Sequence, residues 1–427
     1  QIYKMMVPNL PVDVVNAYAK KLICETDTNF VTLVMMRDVE GGVYPTQEQL
    51  ANVVKQVRGE KLEAYVDNVK QEPLMAQLPK AGKIKKTTEN KQFGFKLLTL
   101  SNGAKAVLKK TDYKNDEVQF VASALGGSSA FDKKDYREVK MMPSLMNASG
   151  LGNFSNHDLE KALAGKIASC GFSLSKYRHG LGGSSTPKDL ETLMQLIYLN
   201  LTNISKDEKN VANLIATQAN ALDNQSNNPQ AVFQDSLSST MYHGEKFYRS
   251  MTSAEVKSVN YDRALELGKQ LYGNAKDFTF YFVGNYDEKV LLPLIEQYIA
   301  SLPAKKADKV TKIDTRTYFK GQKKNAFTRK METPRPQVGN IYYCPIENNL
   351  ENSVVMEVAG EVVTMEMLNQ VREEMSAAYS CGAGISMSLM ADKAYAMLSS
   401  SAPISEPSKL DAAAERMKKI VADAAKS

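Results

Sequence analysis

Apolar positions recur at helical spacing over residues 11–23, where Val15, Tyr18 and Leu22 fall on one face and Pro11 stands near the first turn. Residues 30–36 (FVTLVMM) form a continuous, β-rich apolar run, the pattern of a buried strand. A second helix opens at 45–50, with a cap candidate and an early acid. Residues 95–108 read as a hairpin, because Ser101, Asn102 and Gly103 separate two apolar alternations. Strands are expected at 118–125, 172–176, 180–184 and 278–284. Helices are expected at 137–148, 155–164, 190–201, 208–222 and 290–301, the last stopped at Pro303. After a lysine-rich stretch the pattern begins again. It predicts strands at 338–344 and 353–358, a long helix to about Met375, a strand pair over 379–389 and 394–400, and a helix from Pro407.

One unit recurs within the chain. Residues 16–34 (NAYAKKLICETDTNFVTLV) align without gaps on 264–282 (ALELGKQLYGNAKDFTFYF), and both read as helix, polar turn, strand. Strands followed by helices predict an α+β protein with tandem, mostly antiparallel sheets and helices packed on one face. The expected organisation is 1–57 as the end of a preceding repeat domain, 58–90 as a linker and 91–305 as a complete repeat domain. A connector at 306–336 and a second, C-terminally truncated domain at 337–427 complete it. Residue 1 is Gln, with no signal-like segment behind it, and 417–427 read as a helix without a stop signal. The chain is therefore expected to be a segment of a longer polypeptide.

Composition narrows the chemistry. Charged residues are 24% and hydrophobic ones 43% of 427, which excludes disorder over most of the length. No run of about 18 apolar residues is present to cross a membrane as a helix. Cys24, Cys170, Cys344 and Cys381 are far apart, so neither a disulfide scaffold nor a zinc ribbon is expected. The net charge of +6 is a weak argument for nucleic acid. The connector lysines Lys320, Lys323, Lys324 and Lys330, interleaved with Phe319 and Phe327, read as a solvated tether, and no nucleic-acid partner is expected. Only three histidines occur, His157, His179 and His243, and no two are close in sequence. His157 belongs to an H-x-x-E-K stretch that reads as a helix start behind a Ser155 or Asn156 cap. His179 reads as an exposed strand-turn residue, and His243 as a residue near a helix end. Gly126-Gly127-Ser128-Ser129 lacks the G-K-[ST] of a phosphate loop.

Four segments, in this order, resemble the pitrilysin/insulinase family of zinc peptidases and its processing-peptidase and respiratory-complex relatives. They are 100–131 (LSNGAKAVLKKTDYKNDEVQFVASALGGSSAF), 159–176 (LEKALAGKIASCGFSLSK), 278–303 (FTFYFVGNYDEKVLLPLIEQYIASLP) and 371–380 (VREEMSAAYS). In that family one half carries H-x-x-E-H on a helix, two histidines binding zinc around a general-base glutamate. Where the resemblance places that helix, this chain has Leu145, Met146, Asn147, Ala148, Ser149 and Gly150. The resemblance thus implies the metal-free half of a zinc metalloendopeptidase, with no catalytic or metal-binding residue in this segment. Zinc is expected in the missing N-terminal half.

The implied partners are a peptide substrate and the zinc-bearing half of the same polypeptide. Arg372 and Tyr379 match the arginine and tyrosine that the metal-free half contributes to the chamber, and are the expected substrate-binding residues. Ser376 stands where the family often has Gly. The alternative is an inactive family member serving as scaffold or peptide-binding module. Without a role in substrate binding, Arg372 is expected to pair with a surface acid such as Glu374 or Asp392 and Tyr379 to be a half-buried structural residue. The low cysteine count, the lysine content and the family habit point to a bacterial periplasm or envelope.

Overall fold

The computed structural model describes residues 2–22, 30–36, 40–63, 66, 69–305, 319–331, 333–390 and 393–424. The chain divides into two units, Gln1–Asn68 and Val69–Ser427. The first holds α1 (Ile2–Met6), α2 (Val12–Leu22) and α3 (Gln47–Gly59). Helix α3 starts on a capping box: the Thr46 hydroxyl accepts the Gln49 N–H, and the Gln49 side chain accepts the Thr46 N–H. Residues 30–36 do not form the expected strand. Val31, Leu33 and Met35 are 87%, 81% and 90% exposed. A strand needs a neighbour for its N–H and C=O groups, and among the described residues of this unit no other strand offers them. The repeat with 264–282 is therefore present in its helix and absent in its strand. Cys24 lies outside the described residues. Cys170, Cys344 and Cys381 are free thiols.

The second unit opens with β1 (Ile84–Asn90), β2 (Phe95–Leu100), β3 (Lys105–Lys110) and β4 (Val118–Leu125). Strand β1 falls in the stretch read as polar linker. Its side chains are mostly exposed because it is the outer strand of the sheet, so it shows no apolar alternation. Helix α4 (Tyr136–Asn147), the short β5 (Gly150–Leu151) and α5 (Asn156–Ala162) precede β6 (Ala168–Leu174) and β7 (Arg178–Ser185). Then come α6 (Leu190–Thr202), β8 (Ile204–Ser205), α7 (Glu208–Gln225), α8 (Pro229–Met241), α9 (Ser253–Lys257), α10 (Tyr261–Tyr272), β9 (Thr279–Gly284) and α11 (Glu288–Leu294). The seven-stranded sheet runs β1-β2-β3-β9-β4-β7-β6, antiparallel except for β3 against β9. One row crosses it through register: Leu98, Ala106, Phe280, Ala122, Leu181 and Phe172. That row is buried beneath side chains of α4, α6, α10 and α11. The opposite face carries Val121, Leu125 and Tyr281, which are exposed.

After Gln337 a second sheet forms from β10 (Gln337–Ile346), β11 (Gly382–Met390) and β12 (Lys393–Pro403), in the order β10-β12-β11. Helix α12 (Leu350–Met367) separates β10 from β11, and α13 (Leu410–Ala424) follows β12. This repeats the earlier wiring. In both, a strand and a helix lead to an antiparallel pair, through β5 and α5 in the first sheet, and then to a one-turn 3-10 helix before a longer helix (Pro187–Asp189 before α6, Pro407–Lys409 before α13). Residues 353–358, expected as a strand, lie inside α12. Their valine-rich run imitates a strand. The Asn349 side chain accepts the Asn352 N–H at 2.8 Å and starts a helix there instead. The structure is α+β with mostly antiparallel sheets, as the pattern predicts. The turn at 391–392, and with it Asp392, lies outside the described residues.

Candidate functional site

Helix α12 buries Met356, Gly360, Val363 and Met367, and Val371 continues the stripe at spacings of three and four. Beyond Met367 the backbone widens into a π-helical turn, Leu368–Glu374. Arg372 follows the last buried residue of that stripe and points outward. Its Nε and Nη2 both lie 2.8 Å from Glu373 Oε1. The Glu373 carboxylate, by hydrogen bond and charge, holds the guanidinium above its ordinary pKa. The acid beside it, Glu374, belongs to Arg416, whose Nη1 lies 3.0 Å away.

The helix ends on Ser376, which takes φ +46°, the left-handed conformation usually given to glycine. The Ser376 N–H donates to Arg372 O at 3.1 Å, and the Ala377 N–H donates to Val371 O at 3.0 Å. These bonds are a helix C-terminal cap, a position where glycine is commonly found. Ala377 and Ala378 are buried, at 0% and 4%. The next residue, Tyr379, is 90% exposed. A tyrosine this exposed on so buried a base is oriented by its backbone, not by packing of its ring. Strand β11 begins at Gly382, so Tyr379 precedes the strand it was expected to open. Cys381 lies between them. Its Sγ is 3.2 Å from Met367 O, and burial pushes the thiol pKa up while the Arg372 charge pulls it back.

Arg372 and Tyr379 thus stand before and after one cap, both reaching solvent, with fixed donors on one and a hydroxyl on the other. A guanidinium and a phenol are each donors suited to a carbonyl or an oxyanion. Sequence reasoning named neither the left-handed Ser376 nor the groups that hold it. The Ser376 carbonyl accepts from Lys409 Nζ at 3.1 Å and from Ser405 Oγ at 3.3 Å, and the Ser405 N–H donates to Ala377 O at 2.7 Å. The only sequence signal was the serine in place of glycine.

The histidines do not converge. His157 is exposed on α5, behind the Ser155 cap. His243 follows α8 at φ +55°, with Lys323 Nζ 3.3 Å from its Nδ1. His179 is a correction. It is buried at 4%, with Nδ1 2.6 Å from Gly126 O, edge-on to Tyr272 and Phe278. Helix α4 buries Val139, Met142, Leu145 and Met146, and its buried acid Glu138 accepts the Asn260 N–H at 3.1 Å. These residues do not fit a zinc ion. Among the described residues no three His, Cys, Asp or Glu side chains gather as a metal site. The Gly126–Ser129 amides are also engaged. Those of Gly126, Ser128 and Ser129 donate to carbonyls of Tyr177, Ser175 and Lys176.

Residues 258–427 match the family model described as the Peptidase M16 inactive domain. The chain is 26% identical over 309 residues to a protein of Arabidopsis thaliana named zinc protease PQQL-like, covering 71% of this chain and 29% of that one. Its fold is similar to the periplasmic protease PqqL of Escherichia coli, with TM-score 0.71 at 20% identity, over 89% of this chain and 41% of that one. It is similar also to the peptidase M16 inactive domain from Pseudomonas fluorescens, with TM-score 0.56 at 12% identity, over 77% of this chain and 78% of that one. The chain thus spans about a third of the length of the curated relatives it matches.

Proposed function

We propose, for a chain whose residues 258–427 match the family model described as the Peptidase M16 inactive domain, a part in a zinc-dependent endopeptidase: the metal-free half that holds the peptide. Zinc and its ligands belong, on this reading, to a separate N-terminal half of the same polypeptide, and this segment supplies contacts to the peptide rather than to the metal. Residues 91–305 and 337–427 are then successive domains of the family, and 1–57 the end of an earlier one. The observation that carries the reading is the cap at Ser376. It sets Tyr379 in solvent on a buried base, with Arg372 beside it. Arg372 donates to a substrate carbonyl, exchanging part of its Glu373 pairing for the peptide, and the Tyr379 hydroxyl supports the oxyanion as it forms.

The test uses the longer protein with its zinc. Arg372→Ala and Tyr379→Phe should each lower peptide turnover by about 100–1,000-fold, the cost of one transition-state hydrogen bond. Zinc content, measured by atomic emission, should stay at the parent level. Two well-folded variants cleaving at the parent rate would return the pair to a structural role. A zinc-loaded parent that cleaves nothing would favour the scaffold reading.

A further inference from the structure

We propose that Lys409 is a positioning residue for the Arg372–Tyr379 pair, acting through the Ser376 carbonyl. The proposal rests on the substrate-contact reading above. Lys409 closes the 3-10 turn Pro407–Lys409, directly before α13. A cation there is opposed by the helix dipole, which favours acids at an N-terminus. Its ammonium has two partners instead: Glu406 at 3.3 Å and, across the chain, Ser376 O at 3.1 Å. Ser405 Oγ donates to that same oxygen at 3.3 Å. Ser376 is one of two non-glycine residues with positive φ among the described residues. A left-handed serine keeps its shape only where its surroundings over-determine it, and the Ile404–Lys409 segment supplies the bonds that do so. Releasing Ser376 would loosen both ends of the pair. Its N–H holds the Arg372 carbonyl, and its C-terminal neighbours carry Tyr379.

The chain as it stands allows the test. Binding of a fluorescein-labelled, unfolded casein peptide is followed by anisotropy, and amide exchange over 377–381 by mass spectrometry. Lys409→Met should weaken binding about 3–10-fold, on the scale of one part-exposed hydrogen bond, and should speed exchange at 377–381. Lys409→Arg should keep both at parent values. The deciding variant adds Ser376→Gly to Lys409→Met. Glycine takes the left-handed turn without help, so binding and exchange should return to the parent level. If the double variant stays weak, Lys409 touches the peptide itself and the positioning role is wrong. Unchanged exchange and binding in Lys409→Met would also overturn it. The reading beneath it is judged separately by Arg372→Ala. If that variant binds the peptide like the parent, the substrate contact falls, while exchange at 377–381 still decides what Lys409 holds.

Discussion

His179 sits opposite Ala124, one pair from the end of the β4–β7 ladder and against the Gly126 turn, with two aromatic rings around it and a backbone carbonyl on Nδ1. Burial keeps its pKa below the ordinary value, with the Gly126 bond pulling the other way. The folded chain therefore holds a neutral imidazole where the unfolded chain takes up a proton below about pH 6.5. Fewer protons bound in the folded state means stability rises with pH through this window and is lost as pH falls below it. Urea midpoints measured at pH 8 and pH 5 should show a smaller acid loss in His179→Gln than in the parent. An equal loss in both would assign the acid sensitivity elsewhere. The sequence hides this residue because His179 stands beside the exposed Arg178 at a strand end. In the strand they alternate, and one position decides which of them faces the core. His157 was legible for the opposite reason: its Ser155 cap is local chemistry, and the bond is there at 3.1 Å.

Elements with a local signal were readable from the chain. The Asn-Gly hairpin is present, and Asn102 also ties it to the end of the α11 region by donating to Ile299 O at 2.8 Å. Thr186 caps the turn into α6, accepting the Asp189 N–H at 3.2 Å. What failed depended on partners far along the chain. Residues 353–358 carry strand-like side chains on a helix, and β1 is a strand only because β2 lies beside it. At the candidate site, the sequence placed Arg372 near a helix end and Tyr379 just past it. It could not show the π-turn, the Glu373 partner or the Ser376 cap, which follow from φ and ψ. That cap makes its own prediction. Ser376→Gly should raise stability by about 1 kcal/mol, because glycine takes positive φ without the Cβ penalty. A urea midpoint that stays or falls would show that the surroundings already relieve the serine.

At the scale of the whole molecule, the core is confined to the second unit. All four hydrophobic clusters lie between Leu98 and Ile420, and no described residue of the first 68 is buried. A chain of residues 69–427 should therefore unfold with a midpoint within about 2 °C of the full chain, a shift of about 1.5 kcal/mol at this size. A markedly lower or broadened melt, followed by calorimetry, would show that residues 1–68 contribute to that core. The order of the large sheet has a consequence for biosynthesis. Strands β3 and β4 are neighbours in sequence but not in the sheet, and the place between them belongs to β9. Until Gly284 has left the ribosome, the two halves of the sheet have no common strand. At about 5–20 residues per second, that wait is roughly 10–35 s. During it, neither β3 nor β4 has the partner that β9 supplies to both. The nascent protein is at its most vulnerable then, and a chaperone that shields β4 would have its largest effect before translation reaches β9.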